Sequence, residues 1–243
     1  MRFSLILATL ALLSSCAPMY VPNTRNVLMF NGQGEFKGGL VLGTGVDLQG
    51  GVSISDNFGL MGNYSFINET RNDPQDPNQT FKRKGNYIDG GLGYYKASRN
   101  KRFELYVGYG LGEGTTTGQY GFLGLGQQEV IVTGRYHKLF LQPSFGTNNT
   151  RFNLFFTPRV SYVTYTQFQS GVIIEKPDEK GHLFFEPAVT ARFKMAGNLF
   201  GNFQVGLNAA MPNDAFFDHV PLQASFGVQL HLGGNLRTQV YRK

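Results

Sequence analysis

The side chains that could support catalysis or bind a metal are few and far apart in the sequence. The four histidines are His137, His182, His219 and His231. A hydrolytic nucleophile needs a histidine within hydrogen-bond reach, and no histidine here is followed two residues later by a serine. Asp214, Asp218 and His219 form a cluster of acids and a histidine at the predicted outer rim, which could hydrolyse a bond or loosely bind calcium or zinc. A solvated loop explains this cluster more simply, so we expect no catalytic residue, no metal and no cofactor.

The single cysteine, Cys16, follows a segment typical of a signal peptide. Arg2 precedes an apolar stretch, 5–13, that is too short to span a bilayer as a helix. The stretch ends in Leu13-Ser14-Ser15-Cys16, which resembles the lipobox of bacterial lipoproteins, where the cysteine is acylated. Ala17 rather than aspartate follows, as in lipoproteins forwarded to the outer membrane. We predict lipid attachment at Cys16; the alternative is an ordinary signal peptide ending at a chance cysteine.

The composition indicates a membrane barrel rather than a soluble domain. Charged residues make up 16% of the chain, below the usual quarter, whereas 22 Phe, 12 Tyr and 32 Gly are many. Mean hydropathy is nevertheless only -0.20. Strands that alternate lipid-facing with lumen-facing residues average to such a value. The net charge of +6 is scattered along the chain, which argues against a nucleic-acid partner.

Alternation of apolar and polar residues predicts the strands. From Leu222 to Leu232, apolar residues alternate without a break with Gln, Ser, Gly and His, which gives one apolar and one polar face. The pattern recurs upstream and brings the total to about ten strands, with eight or twelve as alternatives. It is weakest in 129–145, where it slips around Arg135–Lys138 and where Pro143 interrupts the ladder. We therefore predict an all-β fold, a single small up-and-down antiparallel transmembrane β-barrel.

The connections between these strands alternate in length and orient the barrel. Short turns at 55–57, 97–102, 147–150 and 196–198 would be periplasmic, and longer loops at 69–85, 118–128, 169–181 and 213–220 extracellular. Both ends of the barrel then lie on the periplasmic side. The predicted organisation is a lipoprotein signal peptide at 1–15, an acylated periplasmic tether at 16–34, the outer-membrane barrel at 35–234 and a periplasmic tail at 235–243.

Charged residues on the polar strand faces are predicted to line the lumen. A barrel this narrow has room for little more than side chains, and unpaired buried ions are costly. We expect these residues to form a salt-bridged plug; a charge-lined pore is the alternative. The predicted lumen residues are Lys37, Asp47, Asp89, Glu104, Arg159, Glu186, Arg192 and Lys194.

Lys82, Arg83 and Lys84 lie near the outer end of a predicted strand. Cations at that height would meet the phosphates of lipopolysaccharide, although a charged flank that ends the strand explains them equally well. The expected partners are thus outer-membrane lipid and lipopolysaccharide, with other outer-membrane proteins as further candidates.

Several stretches of the early chain resemble Bacteroidota-type outer-membrane barrel lipoproteins. They are Cys16-Ala17-Pro18-Met19-Tyr20-Val21-Pro22-Asn23, Gly34-Glu35-Phe36, Gly45-Val46-Asp47-Leu48-Gln49 and Ser55-Asp56-Asn57-Phe58-Gly59-Leu60-Met61-Gly62-Asn63. The resemblance covers about the first quarter of the mature chain, and later strands are alike only in pattern. It implies an outer-membrane location and a barrel fold, and it carries no activity.

These observations leave one expected function and two alternatives. We expect a non-enzymatic barrel lipoprotein with a structural or partner-binding role, such as a subunit of a larger outer-membrane complex, because no convincing nucleophile is present. The alternatives are a narrow porin-like channel and an outer-membrane hydrolase acting on lipid or peptide. A soluble all-β sandwich on a lipid anchor is the competing architecture.

Overall fold

The computed structural model describes residues 20–72, 80–122, 125–170, 173–175, 181–211 and 219–233. Within this part of the chain, no helix is long and apolar enough to cross a membrane. The strands are β1 (Glu35–Leu42), β2 (Val46–Ser53), β3 (Phe58–Asn72), β4 (Thr80–Ala97), β5 (Lys101–Phe122), β6 (Leu125–Thr147), β7 (Phe152–Ser170), β8 (Ile173–Glu175), β9 (His182–Ala196), β10 (Leu199–Leu207), β11 (Ala209–Met211) and β12 (Leu222–Gly233).

The strands close into one antiparallel barrel of ten strands. Strands adjacent in sequence pair from β1 to β7, β7 pairs with β9, and β12 pairs with β1 to close the ring. The short β8 pairs with the end of β7 that lies beyond its pairing with β9. In the same way, β11 continues the pairing of β10 along β9. The predicted all-β up-and-down barrel is confirmed, and the closed barrel excludes the soluble sandwich.

The barrel is apolar outside and polar inside. In β12, Leu222, Phe226 and Leu230 are exposed, and the glutamines and serine between them are buried. Other strands repeat this arrangement, and their exposed apolar residues include Leu48, Ile88, Val107, Leu139 and Val205. An apolar exterior around a polar lumen is the arrangement of a membrane-spanning barrel of the outer-membrane type.

The two ends of the barrel differ. One end, here called the short-turn end, carries the turns at 54–57, 98–100, 148–151 and 197–198. The other end carries the remaining connections and is called the long-loop end. Outward-facing aromatic rings, exposed or half-buried, follow one another around the short-turn end. Ring centroids lie 5.9 Å apart for Phe58 and Tyr94, 6.5 Å for Tyr94 and Phe103, and 5.2 Å for Phe103 and Phe145. Such a girdle marks the level of a membrane interface.

Three prolines lie in one row across β6, β7 and β9. Pro158 is opposite Pro187. The β6–β7 register places Pro143 opposite Pro158, and the paired residues of these two strands stop between Leu141 and Phe145. Because proline has no N–H, it cannot donate to a ladder. The row therefore weakens backbone pairing in the middle of the wall.

Candidate functional site

Residues 20–31, here called the plug, run through the barrel lumen. Asn26, Leu28 and Met29 have no exposed surface. The sequence predicts an acylated periplasmic tether over 16–34, and in the structure the wall encloses residues 20–31 of this range. A polar segment can be buried here because the lumen wall offers hydrogen-bond partners to its backbone and side chains.

The plug enters at the long-loop end and leaves at the short-turn end. The Tyr20 carbonyl accepts a hydrogen bond from the N–H of Val220, at 3.2 Å, just before β12 begins. At the opposite end, the N–H of Gly34 donates to the Ser53 carbonyl at 3.0 Å, beside the turn at 54–57. Gly34 has a φ of 80°, a conformation that suits glycine and turns the chain into β1.

A buried ion pair of the wall is completed by the plug. Arg159 Nε lies 2.5 Å from Glu186 Oε2, and both side chains are almost fully buried. Arg159 also donates to the side-chain oxygen of Asn23 at 3.0 Å and to its carbonyl at 3.1 Å. The Tyr20 hydroxyl donates to the other Glu186 oxygen at 2.6 Å. These extra bonds are what a buried pair needs to offset its desolvation.

Two further acids of the wall bind the plug directly. The N–H of Thr24 donates to Asp47 Oδ2 at 3.0 Å, and Asn23 Nδ2 donates to Asp89 Oδ2 at 2.9 Å. The Lys138 ammonium donates to Asn23 Oδ1 at 3.1 Å. Asn23 is thus bound by acidic and basic residues from different strands, which fixes the plug across the lumen.

Pro187 leaves a gap in the pairing of β9 with β10. The register between Gly206 and Ala209 places Leu207 opposite Pro187. N–H groups of successive strand residues point to opposite neighbours, and the N–H of Lys194 bonds the Arg151 carbonyl on the β7 side at 2.8 Å. Position 187 therefore faces β10, and its proline leaves the Leu207 carbonyl without the usual backbone donor.

Arg25 of the plug supplies that donor. Its Nη2 donates to the Leu207 carbonyl at 3.0 Å, and its Nε to the Glu186 carbonyl at 3.1 Å. Its Nη1 donates to the side chain of Gln223 at 2.6 Å, and Nη2 also bonds the Asn208 side chain. One buried guanidinium therefore joins β9, β10 and β12 where the wall's own ladder is incomplete.

Met29 anchors the plug near the short-turn end. Its N–H donates to Glu104 Oε2 at 2.6 Å, and its carbonyl accepts from Lys37 Nζ at 2.6 Å and Arg102 Nη1 at 3.0 Å. Arg192 binds the carbonyls of the two preceding residues. Met29 has a φ of 53°, which is uncommon for a residue with a side chain. Three side chains of the wall hold its backbone in this conformation.

Apolar plug residues fill the space that the polar contacts leave. Leu28 and Phe30 pack in a buried cluster with wall side chains, and Val27 and Met29 pack on Phe155. The wall members of the first cluster are Met61, Tyr95, Tyr106 and Phe140. The lumen is therefore filled by chain as well as by side chains of the wall.

Seven of the eight predicted lumen charges are buried inside the barrel, but most of them are not joined to each other as salt bridges. The buried ones are Lys37, Asp47, Asp89, Glu104, Arg159, Glu186 and Arg192. Lys194 is exposed near the short-turn end, beside a register shift at Leu199. Among the predicted lumen charges, Lys37 forms an ion pair with Glu35 and Arg159 forms one with Glu186. Several of the remaining charges bind backbone groups of the plug instead of each other.

Among the described residues, four further buried charges of the lumen were not predicted from the sequence. Glu35 precedes Lys37, and Arg102 precedes Glu104, by one step of the inward alternation, so strands that begin two residues earlier include them. Lys138 lies where the alternation in 129–145 slips. Arg25 precedes every strand, and no pattern in the sequence marks it as buried.

The three residues of the predicted lipopolysaccharide contact lie on two different faces of β4. Lys82 and Lys84 are exposed near the long-loop end. Arg83 lies between them on the opposite face of β4 and pairs with Glu69. Only the two lysines of this group therefore extend away from the lumen.

Three of the described histidines, His137, His219 and His231, lie against aromatic rings. The His231 ring stacks on Phe200 with centroids 4.1 Å apart, and the His219 ring lies 5.3 Å from Phe184. In the described residues, no group of three or more His, Cys, Asp or Glu could hold a metal ion. Cys16, Asp214 and Asp218 lie outside the described residues.

Comparison with known proteins finds solved structures of low similarity. No protein-family model matches the chain, and no curated protein matches it. The translocator domain of the autotransporter NalP from Neisseria meningitidis is similar at 11% identity, covering 96% of this chain and 95% of that chain, with a TM-score of 0.46. The KdgM porin in complex with disordered oligogalacturonate is similar at 11% identity over 82% of this chain and 99% of that chain, with a TM-score of 0.35. The β domain of the Bordetella autotransporter BrkA has 11% identity, the same coverage and a TM-score of 0.38.

Proposed function

We propose that this protein is a non-enzymatic outer-membrane barrel lipoprotein, acylated at Cys16, with a structural or partner-binding role and a lumen that does not conduct ions. The observation that carries this proposal is the plug. Residues 20–31 occupy the lumen from end to end and are bonded to the wall at each level described above. The lumen is thereby used for internal contacts, which leaves the exterior and the loops for binding.

The surfaces left for partners are of two kinds. The membrane-facing band can pack against another membrane protein, as in a subunit of a larger outer-membrane complex. At the long-loop end, Lys82 and Lys84 are exposed at a height where cations meet anionic headgroups, which supports contact with lipopolysaccharide phosphates. Both roles require the barrel to be a stable platform, and the internally bonded plug supports such rigidity.

Planar-bilayer recording tests the closed lumen. The purified full chain is expected to give no steady unitary currents. Leu28→Asp places a carboxylate in the apolar cluster around Phe30 and Tyr106, where an unpaired charge is strongly disfavoured. This variant is expected to loosen the plug and to give currents.

Gln33→Asp is the matched control, because Gln33 is exposed at the short-turn end. It adds the same charge outside the lumen and is expected to remain silent. Discrete, ion-selective openings of the unmodified protein would contradict the proposal and would favour the narrow channel.

A further inference from the structure

The plug contacts the wall in the order of its sequence. Tyr20 lies at the long-loop end, beside the residues that follow the last long loop. Asn26 donates to Asn63 Oδ1 at 2.7 Å in β3. Further on, the Gly32 carbonyl accepts from the Ser53 hydroxyl at 2.6 Å, at the end of β2 beside the turn at 54–57. The segment therefore crosses the barrel once, without folding back.

The length of the segment agrees with a single crossing. From residue 20 to residue 31, an extended chain reaches at most about 36–40 Å. The hydrocarbon core of a bilayer is about 30 Å thick. The plug is thus long enough to join the two ends of the barrel, and little chain is left over.

Cys16 is too close to Tyr20 in sequence to return to the short-turn end. The residues between them allow a reach of at most about 14 Å. A return through the lumen would also have to pass the space that Leu28, Phe30 and their wall neighbours fill. Cys16 must therefore lie near the end of the barrel where Tyr20 lies.

Wall residues hold Tyr20 firmly at the long-loop end. Its side chain is fully buried, its hydroxyl donates to Glu186 at 2.6 Å, and its ring lies 4.7 Å from the ring of Phe184. The position of Tyr20 at this end is thus set by contacts with β9, which is far away in sequence. In barrels of the outer-membrane type, the end with the longer loops faces the outside of the cell.

We propose that the barrel threads its own N-terminus to the cell surface, so that the acyl chains on Cys16 insert into the outer leaflet of the outer membrane. This proposal rests on the lipid attachment in the proposed function and adds the side of the membrane. It replaces the periplasmic tether with a surface anchor at the rim of the barrel. The chain is then held in the membrane from outside by lipid and across it by the wall.

Cysteine labelling on intact cells tests the side of the membrane. Three single variants of the full chain are made, and Met19→Cys is the test. Thr70→Cys is a control exposed near the long-loop end, and Gln33→Cys is a control exposed at the short-turn end. A membrane-impermeant maleimide is expected to label Met19→Cys and Thr70→Cys to a similar extent. Gln33→Cys is expected to react only after the outer membrane is permeabilised.

A short epitope inserted between Ala17 and Pro18 gives an independent measurement, because antibody binding to intact cells does not depend on one thiol. The proposal is overturned if the Met19 thiol and the epitope are inaccessible in intact cells while Thr70→Cys is labelled. Lipid attachment is scored separately: the unmodified protein, once denatured, should not react with maleimide and should contain palmitate that Cys16→Ala lacks. A free Cys16 thiol would refute acylation, and the labelling would still report the side on which the N-terminus lies.

Discussion

Arg25 takes the place of a backbone donor that the wall lacks. The Leu207 carbonyl faces Pro187, and the guanidinium of Arg25 bonds it at 3.0 Å. A lysine cannot reproduce this arrangement, since it offers one compact charge and not a planar fork of donors. A single plug residue thus donates to groups on three strands and supplies the donor missing opposite Pro187.

A double-mutant cycle measures this role. Arg25→Lys is expected to lower the free energy of unfolding by about 2–3 kcal/mol, because buried partners of a charged group lose their donors. In a Pro187→Ala background the loss should be smaller, because alanine restores an N–H opposite Leu207. Denaturant unfolding of the four proteins in detergent gives the coupling.

Arg99→Lys at an exposed turn is the control for that cycle, and it should leave stability nearly unchanged. Strictly additive effects of Arg25→Lys and Pro187→Ala, within about 0.5 kcal/mol, would show that the two positions do not act on the same carbonyl.

At the scale of strands, period-two alternation was enough to predict the wall. The run from Leu222 to Leu232 becomes β12 with the predicted faces outward and inward. The slip at Arg135–Lys138 corresponds to a register shift between Arg135 and Tyr136 in the β6–β7 pairing. Alternation predicts a strand well because each side chain meets either lipid or lumen.

The sequence is less informative where local pattern does not decide burial. Much of the loop predicted at 69–85 is strand, since β3 and β4 pair from Asn72 and Thr80 inward. The plug residues Asn23 to Asn26 are polar and without period, as in an exposed linker. They are buried because distant wall residues such as Asp89 and Gln204 bond to them. Those partners lie on other strands, so a local pattern cannot reveal them.

Substitutions on the two faces of the wall are expected to differ in their effect on the free energy of unfolding. Val228→Lys puts a cation on the lipid-facing side of β12 and is expected to cost about 2–4 kcal/mol if the site lies near the membrane midplane. Gln229→Ala changes the neighbouring, lumen-facing residue and should cost less. Unfolding in lipid bilayers measures both, and equal effects would mean that the facing of β12 is wrong.

At the scale of the whole molecule, the plug makes the N-terminal segment part of the folded core. Arg25 is 1% exposed, whereas Arg99 lies in an exposed turn at the short-turn end. A protease can cut only chain that enters its active site in an extended form. Sites inside the lumen should therefore be protected for as long as the barrel is folded.

Trypsin digestion of the folded protein, followed by mass spectrometry, tests this protection. No cleavage after Arg25 is expected in the folded barrel, and cleavage there is expected after heat unfolding. Cleavage after Arg25 without unfolding would place the segment outside the lumen, whatever happens at Arg99.

The plug also imposes an order on how the molecule is built. The segment inside the lumen precedes the first strand of the wall. The ring closes where β1 pairs with β12, the last strand. The ring therefore cannot be sealed until almost the whole chain has been made and inserted. Pairing partners so distant in sequence form slowly. If the earliest-made segment lies along the inner face during that interval, the wall closes around the beginning of the chain and the segment need not be threaded through a sealed ring.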